Sequence, residues 1–279
     1  MLESNALTGT REARHFHSGL RDSRITQELR PRIISAAAVI LFVGAWEGFV
    51  RFGLVNPMFT SSPSRIVVTF IRMASDGALV KDIRISGTEF LAGYLLAVVV
   101  GVTLGIAMGW YRDVEAALQP FVSALYSTPR IALIPLFIIW LGIGIMSKVA
   151  LVFLVTVFQI SVSTEAGVRS ADDSLIRVGR SFGASDREIF RTVVLPGAVP
   201  FLIAGLRLGV GRALVGIAVG ELYAATAGIG YEIAVAGETF QIDRVFVGVI
   251  ILATASMMMM WLLRRVELRY ESWRPQRSA

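Results

Sequence analysis

Three charged residues interrupt one long apolar stretch of the sequence, residues 199–222. They are Arg207, Arg212 and Glu221. If the stretch spans a bilayer, an ionised group at its centre costs about 2.5–3.5 kcal/mol on insertion scales, so each residue is a candidate for function by default. The chemistry open to the arginines is electrostatic: they could line the path of an anion, or equally bond carbonyl groups between helices. We treat all three as candidate pathway residues, with the hypothesis that Arg212 faces a cavity and favours anions.

A second candidate site surrounds Arg130, which stands between Pro129 and Pro135 in the apolar run 120–141. Each proline removes a backbone donor and clashes with the preceding helical turn. The run is therefore predicted to be a helix that is broken or kinked near its cytoplasmic end. Free backbone groups at membrane depth are tolerated where they are buried in protein or line a wet cavity. These three residues either line a pathway or mark an ordinary kink that neighbouring helices absorb.

Other kinds of chemistry lack the residues they need. The sequence has no cysteine, and its two histidines, His15 and His17, lie in the polar N-terminal region. Thiolate metal sites, histidine metal sites in the membrane and a histidine proton relay are therefore excluded. An intramembrane enzyme stays an alternative, but only scattered serine and glutamate residues are left to serve it. Glu47 and Glu89 lie near the ends of apolar runs, where we expect them to reach the lipid headgroups.

Composition indicates which elements must position these residues. Hydrophobic residues make up 54% and charged residues 17% of the 279 positions, against about 25% charged in a soluble domain. Apolar runs close to the ~20 residues that span a bilayer recur along the chain. They must be helices, because every backbone polar group in hydrocarbon has to be paired internally. We predict an all-α, polytopic helical bundle with about six transmembrane helices, at 33–50, 87–109, 120–141, 148–164, 199–222 and 245–263.

Arginine sets the orientation of these spans. Six arginines precede the first span, five lie between the fourth and fifth, and five follow the last. With six spans these three regions share one side, and the positive-inside rule makes that side cytoplasmic. The loop 51–86 on the opposite side carries basic residues too, but the balance places both termini in the cytoplasm. Because orientation accounts for the net charge of +6, we expect no nucleic-acid partner.

Small residues recur at every fourth position of the second span, and two pairs of glycines with the same spacing occur in the fifth. Inside lipid, apolar attraction does not drive helix association, so helices pack by close approach of their backbones, and a stripe of small residues permits it. Glycine is common in membrane helices generally, but five small residues in register favour a packing role. The stripes consist of Gly93, Ala97, Gly101, Gly105 and Gly109 in the second span, and of Gly205, Gly209, Gly216 and Gly220 in the fifth.

Residues 172–196 form a polar, amphipathic segment between the fourth and fifth spans. Asp172 or Asp173 can cap a first helix, and Gly183 suits the left-handed residue that ends it. The helical period predicts that the first helix has its apolar residues on one face, namely Leu175, Ile176, Val178, Gly179 and Phe182.

A second helix is predicted after this glycine. Ser185 and Glu188 have the spacing of a capping box, and Pro196 is expected to stop the helix. Two apolar faces separated by a glycine corner serve two tasks, one helix against the bundle and the other in the groove of a partner. The alternative is a helical hairpin that packs only on the base of its own bundle.

Gly183, Val193, Leu195 and Pro196 fit the second half of a known cytoplasmic signature, Glu-Ala-Ala-x3-Gly-x9-Ile-x-Leu-Pro. Together with further motifs in fixed order over residues 80–270, they make the chain resemble the permease subunits of ABC importers, in the nitrate, sulfonate and taurine branch. Those further motifs are Pro129–Leu136, Trp140–Gly144, Gly205–Arg207, Glu221–Leu222 and Gly228–Tyr231.

The chain departs from this signature at one place. The Glu-Ala-Ala positions are occupied by Arg177, Val178 and Gly179, so the acidic residue is absent. The stretch 165–167, Glu-Ala-Gly, looks similar but stands at the wrong spacing, and we do not transfer the role to it. The missing carboxylate removes one possible contact to a partner and leaves the helix–glycine–helix pattern intact.

The resemblance implies partners and a mechanism. Two permease subunits form the pathway, two cytoplasmic ATPases each receive one coupling helix, and an extracytoplasmic binding protein delivers the solute. Since the sequence has no Gly-x4-Gly-Lys-Ser/Thr phosphate loop, ATP and Mg²⁺ would be used by the separate ATPase, and this chain would bind no cofactor. The resemblance places the ATPase interface at Asp173, Leu175, Ile176, Val178, Gly179, Phe182, Gly183, Ala184 and Ser185, and the structure of the coupling loop at Glu188, Leu195 and Pro196.

These inferences lead to one main expectation and one rival. Residues 1–32 and 271–279 would be cytoplasmic tails, and 33–270 the permease domain with a coupling loop at 165–198. The chain would be a non-catalytic subunit in a bacterial inner membrane, working as a homodimer on a small anion such as a sulfonate, taurine or nitrate, or on a non-anionic solute such as a pyrimidine precursor. The rival, an ion-coupled secondary transporter, predicts inverted repeats and carboxylates deep in the spans, and the sequence shows neither.

Overall fold

The computed structural model describes residues 30–31, 33–56 and 58–269. These residues are helical or lie in short connections, and no strand occurs among them, which confirms the predicted all-α fold. The chain divides into two compact units between Arg65 and Ile66, and each is described by itself. Apart from residues 30–31, the predicted tails at 1–32 and 271–279 lie outside the described residues.

The first unit contains helix α1, Ile33–Arg51, whose 19 residues are apolar enough to cross a membrane. The carboxylate of Glu47 accepts hydrogen bonds from the backbone N–H of Ser64 at 3.0 Å and from its hydroxyl at 2.7 Å. The first N–H groups of a helix lack partners within it, and a helix begins at Pro63. Glu47 therefore caps this helix. The expectation that its side chain reaches the lipid headgroups is not met.

The remaining α-helices are α2 Pro63–Ser75, α3 Ala78–Trp110, α4 Arg112–Ser127, α5 Ile134–Leu141, α6 Ile145–Arg169, α7 Asp173–Ser181, α8 Asp186–Ile189, α9 Leu195–Ala224, α10 Ile229–Glu238 and α11 Ile242–Arg269. A 3₁₀ helix, Arg130–Leu133, precedes α5, and a π-helical turn, Phe190–Val194, joins α8 to α9.

Five helical stretches in the described part of the chain are long and apolar enough to cross a membrane: α1, α3, α6, α8–α9 and α11. A sixth crossing is added if Arg112–Ser127 and Arg130–Leu141, which are bent by 91° at a short break, count as one span. The count agrees with the prediction of about six. The predicted break is present, but it lies near the middle of this pair because the helix begins at Arg112, earlier than the apolar run indicated.

Helix α6 lies between α3 and α9 and has the largest buried share of the described spans. The small residues of α3 contact it, as predicted. A Cβ added at Gly105 would lie 2.5 Å from the carbonyl oxygen of Ser161, and one at Gly101 would lie 2.8 Å from that of Val157. No side chain larger than hydrogen fits at these distances, so the glycines of α3 allow the two backbones to touch.

Helix α9 packs on α6 in the same way. A Cβ added at Gly205 would lie 2.6 Å from Cβ of Ser163, and one at Gly216 would lie 2.7 Å from a methyl group of Val155. Glycine stripes on two different helices therefore enclose a single central helix.

A buried ion pair also joins α3 to α6. Glu89 is 0% exposed and Lys148 is 4% exposed, and the ammonium group contacts the carboxylate. The expectation that Glu89 reaches the headgroups is wrong. Both helices extend beyond their apolar runs, to Ala78 and Ile145, which places the two charges inside the bundle.

Gly105→Ala should destabilise the protein, because the added methyl group has no room beside Ser161. Overpacking of this kind costs about 1–3 kcal/mol, so the melting temperature in detergent should fall. Gly87→Ala is the matched control on the same helix, since a Cβ there meets nothing within 4 Å. Equal melting temperatures for the two variants would contradict the close approach of α3 and α6.

Lys148→Met should destabilise the protein by about 3–5 kcal/mol, because it leaves the buried carboxylate of Glu89 without a counter-charge. The double variant Lys148→Met, Glu89→Leu should recover most of this loss, since it removes the unpaired charge as well. Thermal unfolding of the three proteins in one detergent measures the effect. A double variant less stable than the single one would show that the two charges do not compensate each other.

Candidate coupling segment and pathway

The segment between α6 and α9 begins with a capped helix. The Asp172 carboxylate accepts hydrogen bonds from the hydroxyl of Ser174 at 2.6 Å and from its backbone N–H at 2.7 Å. These bonds favour the ionised carboxylate and hold the pKa of Asp172 below its ordinary value. Helix α7 ends at Ser181, and Gly183 follows with a φ of 79°, the left-handed conformation predicted for it.

The predicted capping box is present at the start of α8. The hydroxyl of Ser185 accepts a hydrogen bond from the Glu188 N–H at 3.4 Å, and the Glu188 carboxylate accepts one from the Ser185 N–H at 2.7 Å. Each residue thus satisfies a backbone donor of the other, which fixes where the chain turns back toward the bundle.

Pro196 does not stop the second helix, contrary to the prediction. Helix α8 continues through the π-helical turn Phe190–Val194 into α9, which makes one helical stretch, Asp186–Ala224. In this turn the Leu195 N–H bonds to the carbonyl of Phe190, five residues back. A proline lacks the donor and clashes with the carbonyl four residues before it, and the wider turn relieves that clash. Helix α7 is consequently the only helix of the segment that is not continuous with a membrane span.

The apolar residues of α7 divide between two sides, where one shared face was predicted. Ile176 packs against the apolar cluster beneath the helix, and a Cβ on Gly179 would lie 3.4 Å from Ile189. Of the other residues assigned to the interface, Ala184 is half-buried, while Asp173, Gly183 and Ser185 are exposed. Three apolar side chains stay exposed, at 54%, 52% and 88%, and we call them the α7 ridge: Leu175, Val178 and Phe182.

A compact base holds α7 in place. The buried cluster beneath it consists of Val168, Ile189, Val194 and Ala198. Trp110 and Phe190 border this cluster, with ring centroids 5.2 Å apart and planes at 69°. Arg169 contacts the carboxylate of Glu115, and its Nε lies 3.2 Å from Glu165. Helices α4, α6 and α9 are thereby joined at the end of the bundle that carries the segment.

The break between α4 and the 3₁₀ helix borders a cavity of about 350 Å³. Three of the candidate pathway residues line it together: Pro129, Arg130 and, from α9, Arg212. The sequence analysis did not select the remaining lining residues, Tyr126, Thr128, Ile131, Val155 and Val215. Tyr126 and Thr128 adjoin the proline and could have been found from it. Val155 and Val215 carry no signal, because valine in an apolar span looks the same whether it faces lipid, protein or a cavity.

Arg130 uses its hydrogen bonds on carbonyl groups around the break. Its guanidinium donates to the carbonyl of Tyr126 at 2.6 Å, of Leu125 at 3.3 Å and of Val155 at 3.0 Å. In an unbroken helix the Leu125 carbonyl would accept from residue 129, which is a proline and has no N–H. Arg130 therefore replaces helical donors and links the broken span to α6.

Two other candidate pathway residues do not line this cavity. Arg207 lies 3.1 Å from the carboxylate of Glu267 on α11, and Pro135 lies in the first turn of α5. Neither residue is among those that line the cavity.

Glu221 is fully buried and serves the start of α10. Its carboxylate accepts hydrogen bonds from the Ser86 hydroxyl and from the Gly230 N–H, both at 2.6 Å. The neighbouring N–H of Gly228 donates to Asp82 at 2.9 Å. Since the first N–H groups of a helix need acceptors from outside it, these carboxylates account for the geometry without any role in a pathway.

The broken span and the helix–glycine–helix segment at one end of the bundle are the features that define the class. Residues 90–272 match the family described as the binding-protein-dependent transport system inner membrane component. The chain belongs to this family, and it is a permease subunit of an ABC importer. It is the membrane component of the transporter and not an enzyme.

Named relatives cover most of the chain. It is 32% identical over 245 residues to the taurine transport system permease protein TauC of Escherichia coli, which covers 86% of this chain and 88% of that protein. A putative aliphatic sulfonates transport permease protein, SsuC of Bacillus subtilis, is 31% identical over 84% of this chain and 85% of its own length. The formylaminopyrimidine transport permease protein ThiX of Halalkalibacterium halodurans is 32% identical over 75% and 81%.

Solved structures agree with the fold. A structure of the MetNI methionine ABC transporter in an inward-facing conformation matches with a TM-score of 0.58 at 19% identity, over 69% of this chain and 96% of that one. An amino acid ABC transporter with histidines matches with a TM-score of 0.54 at 16% identity, over 73% and 97%. At these identities the likeness extends to the fold alone.

Asp172→Ala should loosen the first turn of α7, because it removes the acceptor for Ser174. Hydrogen–deuterium exchange of α7 amides at neutral pH should become several-fold faster, while α6 keeps its protection. Asp173→Ala is the matched control, since that exposed carboxylate accepts no hydrogen bond among the described residues. Because the pKa of Asp172 is lowered, the cap is complete above the ordinary carboxyl pKa and is lost as pH falls through the lowered one. Equal exchange in both variants would contradict the cap.

Proposed function

We propose that this chain forms the membrane pathway of an importer for small sulfonate-type anions. It would work as a homodimer with two cytoplasmic ATPases, which use ATP and Mg²⁺, and with an extracytoplasmic binding protein. The observation that carries the proposal is a cavity lined by Arg130 and Arg212 in a chain that is 32% identical to a taurine permease.

The contact with the ATPase is placed on α7. The α7 ridge offers apolar side chains in a helix, and such a face suits the groove of a partner. Asp173, Gly183 and Ser185 border the ridge and are exposed, so they fit the same interface. Ile176, Gly179 and Ala184 lie toward the bundle, where they would transmit movement of the docked helix to α6 and α9. Glu188, Leu195 and Pro196 belong to the continuous helical stretch behind it.

The orientation follows from this docking. If α7 contacts a cytoplasmic ATPase, the end of the bundle that carries the segment is cytoplasmic. The five arginines between the fourth and fifth predicted spans support this side, and so does the excess of arginine near both termini. The chain would then lie in the inner membrane of a bacterium with both termini in the cytoplasm.

The substrate class rests on charge. Two relatives are named for taurine and for aliphatic sulfonates, and both solutes carry a sulfonate group. Two arginines in one cavity offer the positive potential that such a group requires. Because the ThiX relative is named for formylaminopyrimidine transport, a pyrimidine precursor is the alternative substrate. Within the described lining no carboxylate opposes the arginines, which favours the anion.

Val178→Asp should uncouple the transporter, because a charge on the α7 ridge cannot enter an apolar groove without losing its hydration. We expect ATPase co-purification and substrate-stimulated ATP hydrolysis to fall at least about tenfold, the effect of 1.4 kcal/mol. Folding should be preserved, since the side chain is already exposed. Ser181→Ala, an exposed change on the same helix, is the control. Normal hydrolysis in Val178→Asp would sink the proposed interface.

The substrate class can be tested on the reconstituted transporter. Uptake of taurine, of a short alkanesulfonate and of formylaminopyrimidine is compared in proteoliposomes that contain this chain, its co-purifying ATPase and the binding protein. Sulfonate uptake that depends on ATP is the expected result. Uptake of formylaminopyrimidine without sulfonate uptake would refute the anion and leave the importer role standing.

A further inference from the structure

We infer that Arg212 is the charge that selects anions in the cavity at the broken span, and that Arg130 positions the cavity wall and leaves the ligand to Arg212. The inference rests on the proposed function and names the group that acts in it. The ligand is a compact oxyanion headgroup, of which a sulfonate is the proposed cargo.

The two arginines differ in how many of their guanidinium N–H donors are already hydrogen-bonded. Arg130 donates to three carbonyl groups, those of Leu125, Tyr126 and Val155. Arg212 has no hydrogen bond or ion pair within residues 33–56 and 58–269, and its side chain is exposed at the cavity. A new ligand can therefore bond to Arg212 without breaking an existing contact, whereas a ligand on Arg130 would compete with the carbonyls at the break.

Arg212 lies near the middle of its helix, where an unpaired charge is unexpected. It lies in helix α9, Leu195–Ala224, and a rise of 1.5 Å per residue places it about 25 Å from one end and about 18 Å from the other. An arginine at mid-span is costly, and such residues face an interior or a wet cavity and pair with a partner. Arg207, five residues earlier, has such a partner in Glu267. Arg212 has no such carboxylate partner and borders the cavity instead.

The cavity has the size and lining for this ligand. A volume of about 350 Å³ lies within the range of small-molecule sites, roughly 300–1,000 Å³. The lining joins the two guanidinium groups to a threonine hydroxyl and a tyrosine ring, with valine and isoleucine around them. A planar guanidinium bonds an oxyanion through two parallel N–H groups, and the second positive charge raises the potential without a direct contact. An apolar wall suits the short alkyl chain of a sulfonate.

The anion preference can be measured without transport. The sequence has no cysteine, so Val215→Cys places a single thiol in the cavity wall. Two methanethiosulfonate reagents of similar size are compared, one with an ethylsulfonate group and the other with a trimethylammonium group. Their rates, normalised to those with a free thiol in solution, are followed by intact mass of this chain in the purified complex with its ATPase.

The sulfonate reagent should react faster by roughly tenfold or more, the lower end of what a focused potential achieves. Adding Arg212→Gln should bring the ratio close to one, while Arg212→Lys should keep most of it. Arg130→Lys should keep the ratio but lower the melting temperature, because lysine retains the charge and cannot reach three carbonyls at once. Millimolar ethanesulfonate should slow the sulfonate reagent only when Arg212 is present.

Three results would overturn the inference: an unchanged ratio in Arg212→Gln, loss of the ratio in Arg130→Lys alone, or no reaction of the thiol with either reagent. Since Arg212 has no described partner to lose, its variants should elute and bind the ATPase as the parent does. The labelling involves no binding protein and no uptake. Anion preference without sulfonate uptake would therefore refute only the substrate class, and sulfonate uptake without anion preference would refute only the role of Arg212.

Discussion

The close approach of three backbones is the constraint on which the rest of this structure depends. Helix α6 lies between α3 and α9, and glycines on both neighbours, such as Gly105 and Gly216, leave no space for a Cβ. Lipid chains are as apolar as the side chains they would replace, so contact at this distance, rather than exclusion of water, must hold the helices together. The broken span and the coupling segment are both attached to this three-helix core. The broken span is fastened to α6 through Arg130, and α7 stands where α6 and α9 come together.

Charges in the core follow one rule with one exception. Glu89 has Lys148, Glu221 has the donors at the start of α10, and Arg207 has Glu267. Glu89 and Glu221 are fully buried, where an unpaired charge is costly, and Arg207 is half-buried beside its partner. Among the three charged residues of α9, Arg212 is the exception, and it borders the cavity that Arg130 also lines. The contrast between Arg207, which is paired, and Arg212, which is not, is the ground on which we propose a role in anion selection for Arg212.

Two prolines show how the same residue produces opposite outcomes. At Pro129 the missing donor leaves the carbonyl of Leu125 without its helical partner, and the chain bends by 91° with Arg130 as the substitute donor. At Pro196 a π-helical turn widens the helix, and the chain continues as helix into α9. The first proline thus lies at a break that borders a cavity. The second leaves α8 and α9 as one continuous helical stretch, Asp186–Ala224.

The sequence by itself determined the helical class, the approximate spans, the glycine stripes and the caps at Asp172, Gly183 and Ser185. These features depend on local backbone geometry or on residue size, and both can be read along one helix. Resemblance supplied the importer class, which the family match confirmed. Only the tertiary structure decided that Arg130 is bonded and Arg212 is free, that Glu89 meets Lys148, and that α7 divides its apolar residues between the bundle and an exposed ridge. In each case the outcome depends on which atoms of a second helix lie within bonding distance, and the order of residues along one chain does not contain that distance.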